Sequence, residues 1–255
     1  TQSRSSAASD VYKRQHRNTR VERIRVQGRR VRGVAAGGRN WDFEVVVSNV
    51  DALRTYRELL GWEQAPLARR YARLEPSSSG VVFLWGMKRA FPELGVNNIF
   101  FSSDYRREFQ RIFQERICPE EPTVYVNITS KLCPQDAPEG GENWFVLVNA
   151  PCNAGQNWDQ QTRAVRERVL VQIGRRLGRP VSDAIACERV LSPVDIERDT
   201  GSSRGSLYGI ASNDRLAAFV RHPNRVPGLR GLYLCGGSVH PGGGMPLAVL
   251  SGKIA

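Results

Sequence analysis

The chain has 255 residues, 40% of them hydrophobic, enough to fill one large core or two small ones. A formal net charge of +12 could favour nucleic acid, anionic lipid or cofactor phosphates, but pairs such as Arg29-Arg30, Arg69-Arg70, Arg106-Arg107 and Arg175-Arg176 are dispersed. No helix-turn-helix, zinc-finger or RNA-recognition signature accompanies them, so no nucleic-acid partner is expected, and no run approaches the roughly 18 apolar residues of a bilayer-spanning helix.

Residues 1–15 are polar, serine-rich and without periodicity, and are expected to be disordered and foreign to the domain. From Thr19 the pattern turns β-like: Val21, Ile24 and Val26, then Val31 to Ala35, a Gly37-Gly38 turn, and Trp41 to Val47, which predict a small antiparallel meander. Its last strand, Phe43 to Asn49, is apolar at successive positions and is expected to be covered on both faces. Asp51 then caps a helix running to about Leu60.

Strands are predicted over Gly80–Trp85, Asn97–Phe101, Thr123–Ile128 and Trp144–Asn149, with a helix from Asp104 to about Gln114. That alternation predicts a mixed sheet under a helical layer. Val165, Val169, Ile173 and Leu177 recur at spacing four and mark an amphipathic helix over Trp158–Leu177. The five cysteines, Cys118, Cys133, Cys152, Cys187 and Cys235, form no CxxC pair and have no histidine at ligand spacing; no metal site is expected, and a reduced, cytoplasmic compartment fits.

The most informative stretch is GLYLCGGSVHPGGGMPLAVLSGKIA, residues 231–255, which reads strand, glycine-rich loop, helix. Gly236 and Gly237 allow close approach of the backbone, Gly242, Gly243 and Gly244 make a second tight turn, and Pro246 suits the first turn of a helix. A helix start exposes unpaired N–H groups, which stabilise an anion or an electron-rich ring. A glycine loop alone is a weak sign, and no GxGxxG follows a first strand here.

This stretch resembles the carboxy-terminal flavin-contacting segment of the phytoene desaturase family. Three further segments agree in order: Val46 to Asn49 followed by Thr55 to Gly61, Gly140 to Asn149, and Pro193 through Gly205 to Gly209. Within that family the chain is most similar to the bacterial branch acting on hydroxylated or acyclic carotenoids, such as the 3,4-desaturases. The resemblance implies FAD as cofactor, with Gly236, Gly237, Ser238 and His240 along its pyrophosphate and ribityl chain and Gly244, Met245 and Pro246 near the isoalloxazine. Ser48 and Asn49 are then expected beside the adenosine half. Many related flavoenzymes hold the ribityl hydroxyls with an acidic residue where Gly237 stands, which leaves that contact open.

The resemblance further implies an α/β fold: a partial Rossmann-like FAD-binding domain from residues 16–60 and 190–255, enclosing a substrate domain of mixed sheet and α+β layering at residues 61–189. The family's phosphate-binding βαβ unit belongs upstream, so the chain is expected to be a fragment at both ends that binds FAD poorly alone and is inactive alone. The implied reaction is desaturation of carotenoid C–C bonds, with the protein supplying an apolar channel and excluding water. Phe83, Trp85, Phe100, Phe101 and Trp144 are candidates for lining it, core packing being the competing reading of each. His240 can shape the loop and donate to a cofactor oxygen without acting as a general base, no catalytic residue is assigned, and His222 is expected to have no chemical role. A carotenoid substrate implies peripheral attachment to a membrane surface, with lipid as a partner. Two other readings remain: a carotenoid isomerase, ketolase or amine oxidase of the same superfamily, and a non-enzymatic basic module binding lipid or nucleic acid.

Overall fold

A computed structural model describes residues 14–211 and 221–255; most of the segment expected to be foreign lies outside the described residues. Strands β1 (Val21–Gln27), β2 (Arg30–Ala36) and β3 (Arg39–Asp42) form an antiparallel meander, with Ile24 opposite Val34 and Val34 opposite Trp41. Gly37 and Gly38 make the β2–β3 turn at positive φ, as the sequence predicts.

Strand β4 (Val46–Ser48) leaves this meander and pairs in parallel with a strand from the far end of the chain, β10 (Leu232–Leu234), Val46 opposite Leu232 and Ser48 opposite Leu234. The two ends of the described chain thus meet in one two-stranded sheet. The expectation that Phe43 to Asn49 is covered on both faces is corrected: Phe43, Val45 and Val47 are 49%, 56% and 52% exposed. Side chains alternate across a strand, and among the described residues only the Val46 and Ser48 side of β4 meets a core.

Asp51 caps helix α1 (Ala52–Arg54), its carboxylate accepting from the N–H groups of Leu53 and Arg54 at 3.0 and 3.3 Å. The helix continues as a π-helical segment, Thr55–Leu59. Helix α2 (Pro66–Arg73), with proline in its first turn, buries Ala68 and Tyr71 and turns Arg69, Arg70 and Arg73 outward. Ile24, Val31, Tyr56, Ala68, Leu232 and Leu234 share one core, which brings both ends of the chain together.

A second core lies against a five-stranded sheet. Strands β5 (Ser79–Met87), β6 (Asn97–Phe100), β7 (Val124–Asn127), β8 (Glu142–Ala150) and β9 (Ile185–Leu191) are ordered β6-β7-β8-β5-β9. All four pairings are antiparallel, where a mixed sheet was expected. Helix α3 (Tyr105–Gln110) is capped by Asp104, and helix α4 (Trp158–Leu177) has the predicted bounds and packs Val165, Val169 and Ile173 into this core. Helix α5 (Pro193–Thr200) opens on a capping box of Ser192 and Asp195. The final helix, α6 (Met245–Ile254), follows the glycine loop. Among the described residues no helix is long and apolar enough to cross a membrane.

Candidate functional site

Parallel pairing sets the carboxyl ends of β4 and β10 side by side, where Cys235 N–H donates to the Ser48 carbonyl at 2.9 Å. Beyond those ends the two following loops meet. A Cβ added to Gly236 would stand 2.5 Å from Asn49 Oδ1, and Ser238 Oγ accepts from the Ala52 N–H at 3.1 Å. A cavity of about 160 Å³ opens here, lined by Asp51, Leu53, Tyr71, Ser206, Gly209 and Ser238. Burial pushes the Asp51 carboxyl above its ordinary range, and Ser206 Oγ is buried with no hydrogen-bond partner among the described residues. The crevice outside the carboxyl ends of parallel strands is where α/β folds bind ligands.

The loop glycines divide into two kinds. Gly236, Gly242 and Gly243 make room for protein, since added Cβ atoms would meet Asn49 Oδ1, Arg221 Nε and the Tyr208 side chain at 2.5, 2.9 and 2.7 Å. An added Cβ at Gly237 has only ordinary contact, 3.5 Å to Gly243 Cα, and one at Gly244 has nothing within 4 Å among the described residues. Gly244 also precedes α6 with φ +98°, no side chain among the described residues caps that helix, and Met245 is 85% exposed. Open space beside an uncapped helix start, with Pro246 in its first turn, fits the electron-rich edge of a flavin.

Beneath the loop lies a staple that the sequence pattern did not reveal. Asn224 Nδ2 is within donating distance of the carbonyls of Leu234 and His240 at 3.2 and 2.9 Å and of Ser251 Oγ at 2.8 Å. Ser251 Oγ in turn accepts from the Gly236 N–H at 3.1 Å. Strand, loop and helix are thereby fastened to one buried amide. Only tertiary structure makes these bonds visible, because Asn224 lies outside the glycine-rich stretch and nothing in the pattern of residues 231–255 marks Ser251 as its partner.

The other expected site residues are placed as follows. Ser48 is buried and its hydroxyl is engaged internally, 3.0 Å from Thr55 Oγ1 and accepting from the Val50 N–H. Asn49, His240 and Pro246 are exposed, and the His240 N–H donates to the His222 carbonyl at 2.8 Å. The channel residues do not join the glycine loop. Phe83, Trp85, Phe100 and Trp144 are all buried in the core that α4 covers, with Phe83 and Trp85 stacked at 5.5 Å, the placement that the competing reading of core packing gives them. They occupy the strand parity facing α4. Phe101, just past β6, is exposed.

Residues 5–255 match the family model for flavin-containing amine oxidoreductases, a match that begins inside the segment expected to be foreign. The chain is 47% identical over 234 residues to a 1-hydroxycarotenoid 3,4-desaturase of a Flavobacterium species, covering 92% of this chain and 48% of that protein. It is 34% identical over 211 residues to a 4,4'-diaponeurosporene oxygenase of Staphylococcus haemolyticus, covering 82% of this chain and 42% of that one. The chain thus spans about half the length of the curated relatives it matches. A solved oxidoreductase from Methanosarcina mazei shares the fold, with a TM-score of 0.59 at 16% identity over 92% of this chain and 48% of that one. By the family match and these relatives, the chain belongs to the flavin-containing amine oxidoreductases, among relatives that include a carotenoid desaturase.

Proposed function

We propose that this chain is the flavin-loop half of an FAD-dependent enzyme that desaturates C–C bonds of a carotenoid. The observation that carries the reading is the parallel pairing of β4 with β10, which sets Asn49 beside Gly236 and, among the described residues, leaves Gly244 and the start of α6 facing open space. The 47% identity to a 1-hydroxycarotenoid 3,4-desaturase supports the substrate class. Bound FAD supplies the two-electron acceptor that side chains lack. The chain's own residues then orient the cofactor through backbone donors, exclude water and hold the polyene.

For the polyene, the face of the five-stranded sheet turned away from α4 is the better wall. Val82, Leu84, Leu147, Phe145, Tyr125 and Ile99 share it by register, with Leu84 and Phe145 each 37% exposed and Ile99 54%. This apolar stripe begins at Gly80, whose added Cβ would meet Leu147 and Leu207, and Leu207 precedes the Tyr208 that packs on Gly243. It therefore runs away from the glycine loop as a long hydrocarbon requires.

The test is to express the full-length protein with acyclic 1-hydroxycarotenoids and follow product mass and absorption. Loss of two hydrogens with a red shift supports desaturation. The 34% identity to an oxygenase favours a second reading, in which the product gains oxygen instead. We also propose peripheral attachment to anionic membrane, supported by the net charge of +12 and by a substrate that resides in lipid. Flotation with anionic liposomes at low salt tests it; full recovery in the soluble fraction contradicts it.

A further inference from the structure

The geometry points to Arg221 as a positioning residue for the cofactor loop: it orients the Gly237–Ser238 peptide so that the Ser238 N–H is held as a donor towards the flavin. The inference rests on the reading of residues 236–246 as the flavin loop.

Arg221 Nη1 donates to the carbonyls of Tyr208 at 2.9 Å and Gly237 at 3.1 Å, and Nη2 donates to the Ile210 carbonyl at 3.1 Å. Its planar fork thus serves three carbonyls on two separate loops. Its Nε also lies 2.9 Å from where a Cβ on Gly242 would stand, so the guanidinium is seated between the two glycine clusters of the loop. The neighbours it secures pack on the same loop: Tyr208 against Gly243, and Gly209 against Ser238, whose Cα lies 2.7 Å from an added Gly209 Cβ. Residues 208–210 and the glycine loop are locked together, with Arg221 as their cross-link.

A trans peptide points its C=O and the following N–H in opposite directions. With the Gly237 carbonyl held by Arg221, the Ser238 N–H is directed away from the guanidinium, and no backbone carbonyl among the described residues accepts from it. The charge on Arg221 polarises that peptide and strengthens the donor. A lysine cannot reproduce this, because an ammonium is a point donor that cannot span three carbonyls in one plane.

The experiment uses the full-length holoprotein with Arg221→Gln and Arg221→Lys, reading FAD affinity by fluorescence, the flavin absorption spectrum, the flavin reduction potential and the melting curve of the apoprotein. The expected result for Arg221→Gln is a cooperative apoprotein melt with about tenfold weaker FAD binding, the equivalent of roughly one hydrogen bond, and an altered flavin spectrum and potential. Arg221→Lys is expected to share the loss of affinity and the spectral change. A folded Arg221→Gln protein with wild-type affinity, spectrum and potential overturns the proposal. If the glutamine variant fails to fold, the lysine variant decides by the same readings. A wild-type protein that binds no FAD overturns the flavin reading and this proposal with it.

Discussion

The hydroxyl of Tyr56 lies 2.9 Å from Nε2 of His222, and both residues are buried. His222 Nδ1 stands 2.6 Å from the Pro223 carbonyl, which only accepts, so Nδ1 carries the hydrogen and Nε2 accepts from Tyr56. Tyr56 and Tyr71 pack on the imidazole at 5.5 and 5.3 Å between ring centroids. The histidine expected to lack a chemical role thereby ties the π-helical segment after α1 and helix α2 to the segment leading into β10.

Burial lowers the His222 pKa below 6.5 and pushes the Tyr56 hydroxyl up to about 12. The folded state therefore keeps the imidazole neutral where the unfolded chain takes up a proton. This contribution to stability is present above pH 6.5 and is lost as pH falls towards the lower folded value. Melting curves between neutral and acid pH are expected to show a fall across that window that is smaller in His222→Phe than in wild type. Equal slopes in the two proteins would contradict the assignment.

Gly236 and Gly244 are expected to respond differently to substitution. Gly236→Ala places a Cβ 2.5 Å from Asn49 Oδ1 at φ +109°, adding a clash to backbone strain of about 1–3 kcal/mol. At Gly244 an added Cβ meets nothing within 4 Å among the described residues, so Gly244→Val carries chiefly the strain of φ +98°. Denaturant unfolding of the full-length protein is expected to rank Gly236→Ala as the less stable apoprotein, while Gly244→Val folds but loses bound flavin. Stoichiometric FAD in the Gly244 variant would remove that residue from the site.

Asn224→Asp replaces the donor beneath the loop with an acceptor facing the carbonyls of Leu234 and His240 and the Ser251 hydroxyl. The expected cost is about 3 kcal/mol or more, because a buried charge then faces acceptor oxygens. Equilibrium unfolding measures it; a loss under about 1 kcal/mol would mean that the staple is not needed for stability.

The two faces of β5 give a paired prediction. Phe83→Ala empties a fully buried position and is expected to cost about 3–5 kcal/mol. Leu84→Gln, on the exposed face, is expected to leave stability and FAD content nearly unchanged while raising KM for the carotenoid. An unchanged KM would take Leu84 out of the substrate wall.

Much of this fold was legible in advance. Spacing-four residues gave α4 its bounds, Asp51 and Asp104 marked helix starts, and the Gly37-Gly38 turn separated β2 from β3. The face of a strand was harder to read. In Val81-Val82-Phe83-Leu84-Trp85 every residue is apolar, so alternation could not say which parity α4 covers, and size drew attention to the buried aromatics. The same ambiguity misled the reading of Phe43 to Val47, whose cover depends on neighbours distant in the chain. In the loop, composition marked the glycines but could not separate those filled by Asn49, Arg221 and Tyr208 from the open ones. Asn224 and Arg221 act through distant carbonyls and leave no local pattern.

The most direct measurement is a structure of the full-length protein with its cofactor bound. FAD is expected across the carboxyl ends of β4 and β10, with the Ser238 N–H donating to it and its ring edge against Gly244 and the first turn of α6. A flavin that touches neither Gly237, Ser238 nor Gly244 would contradict that placement.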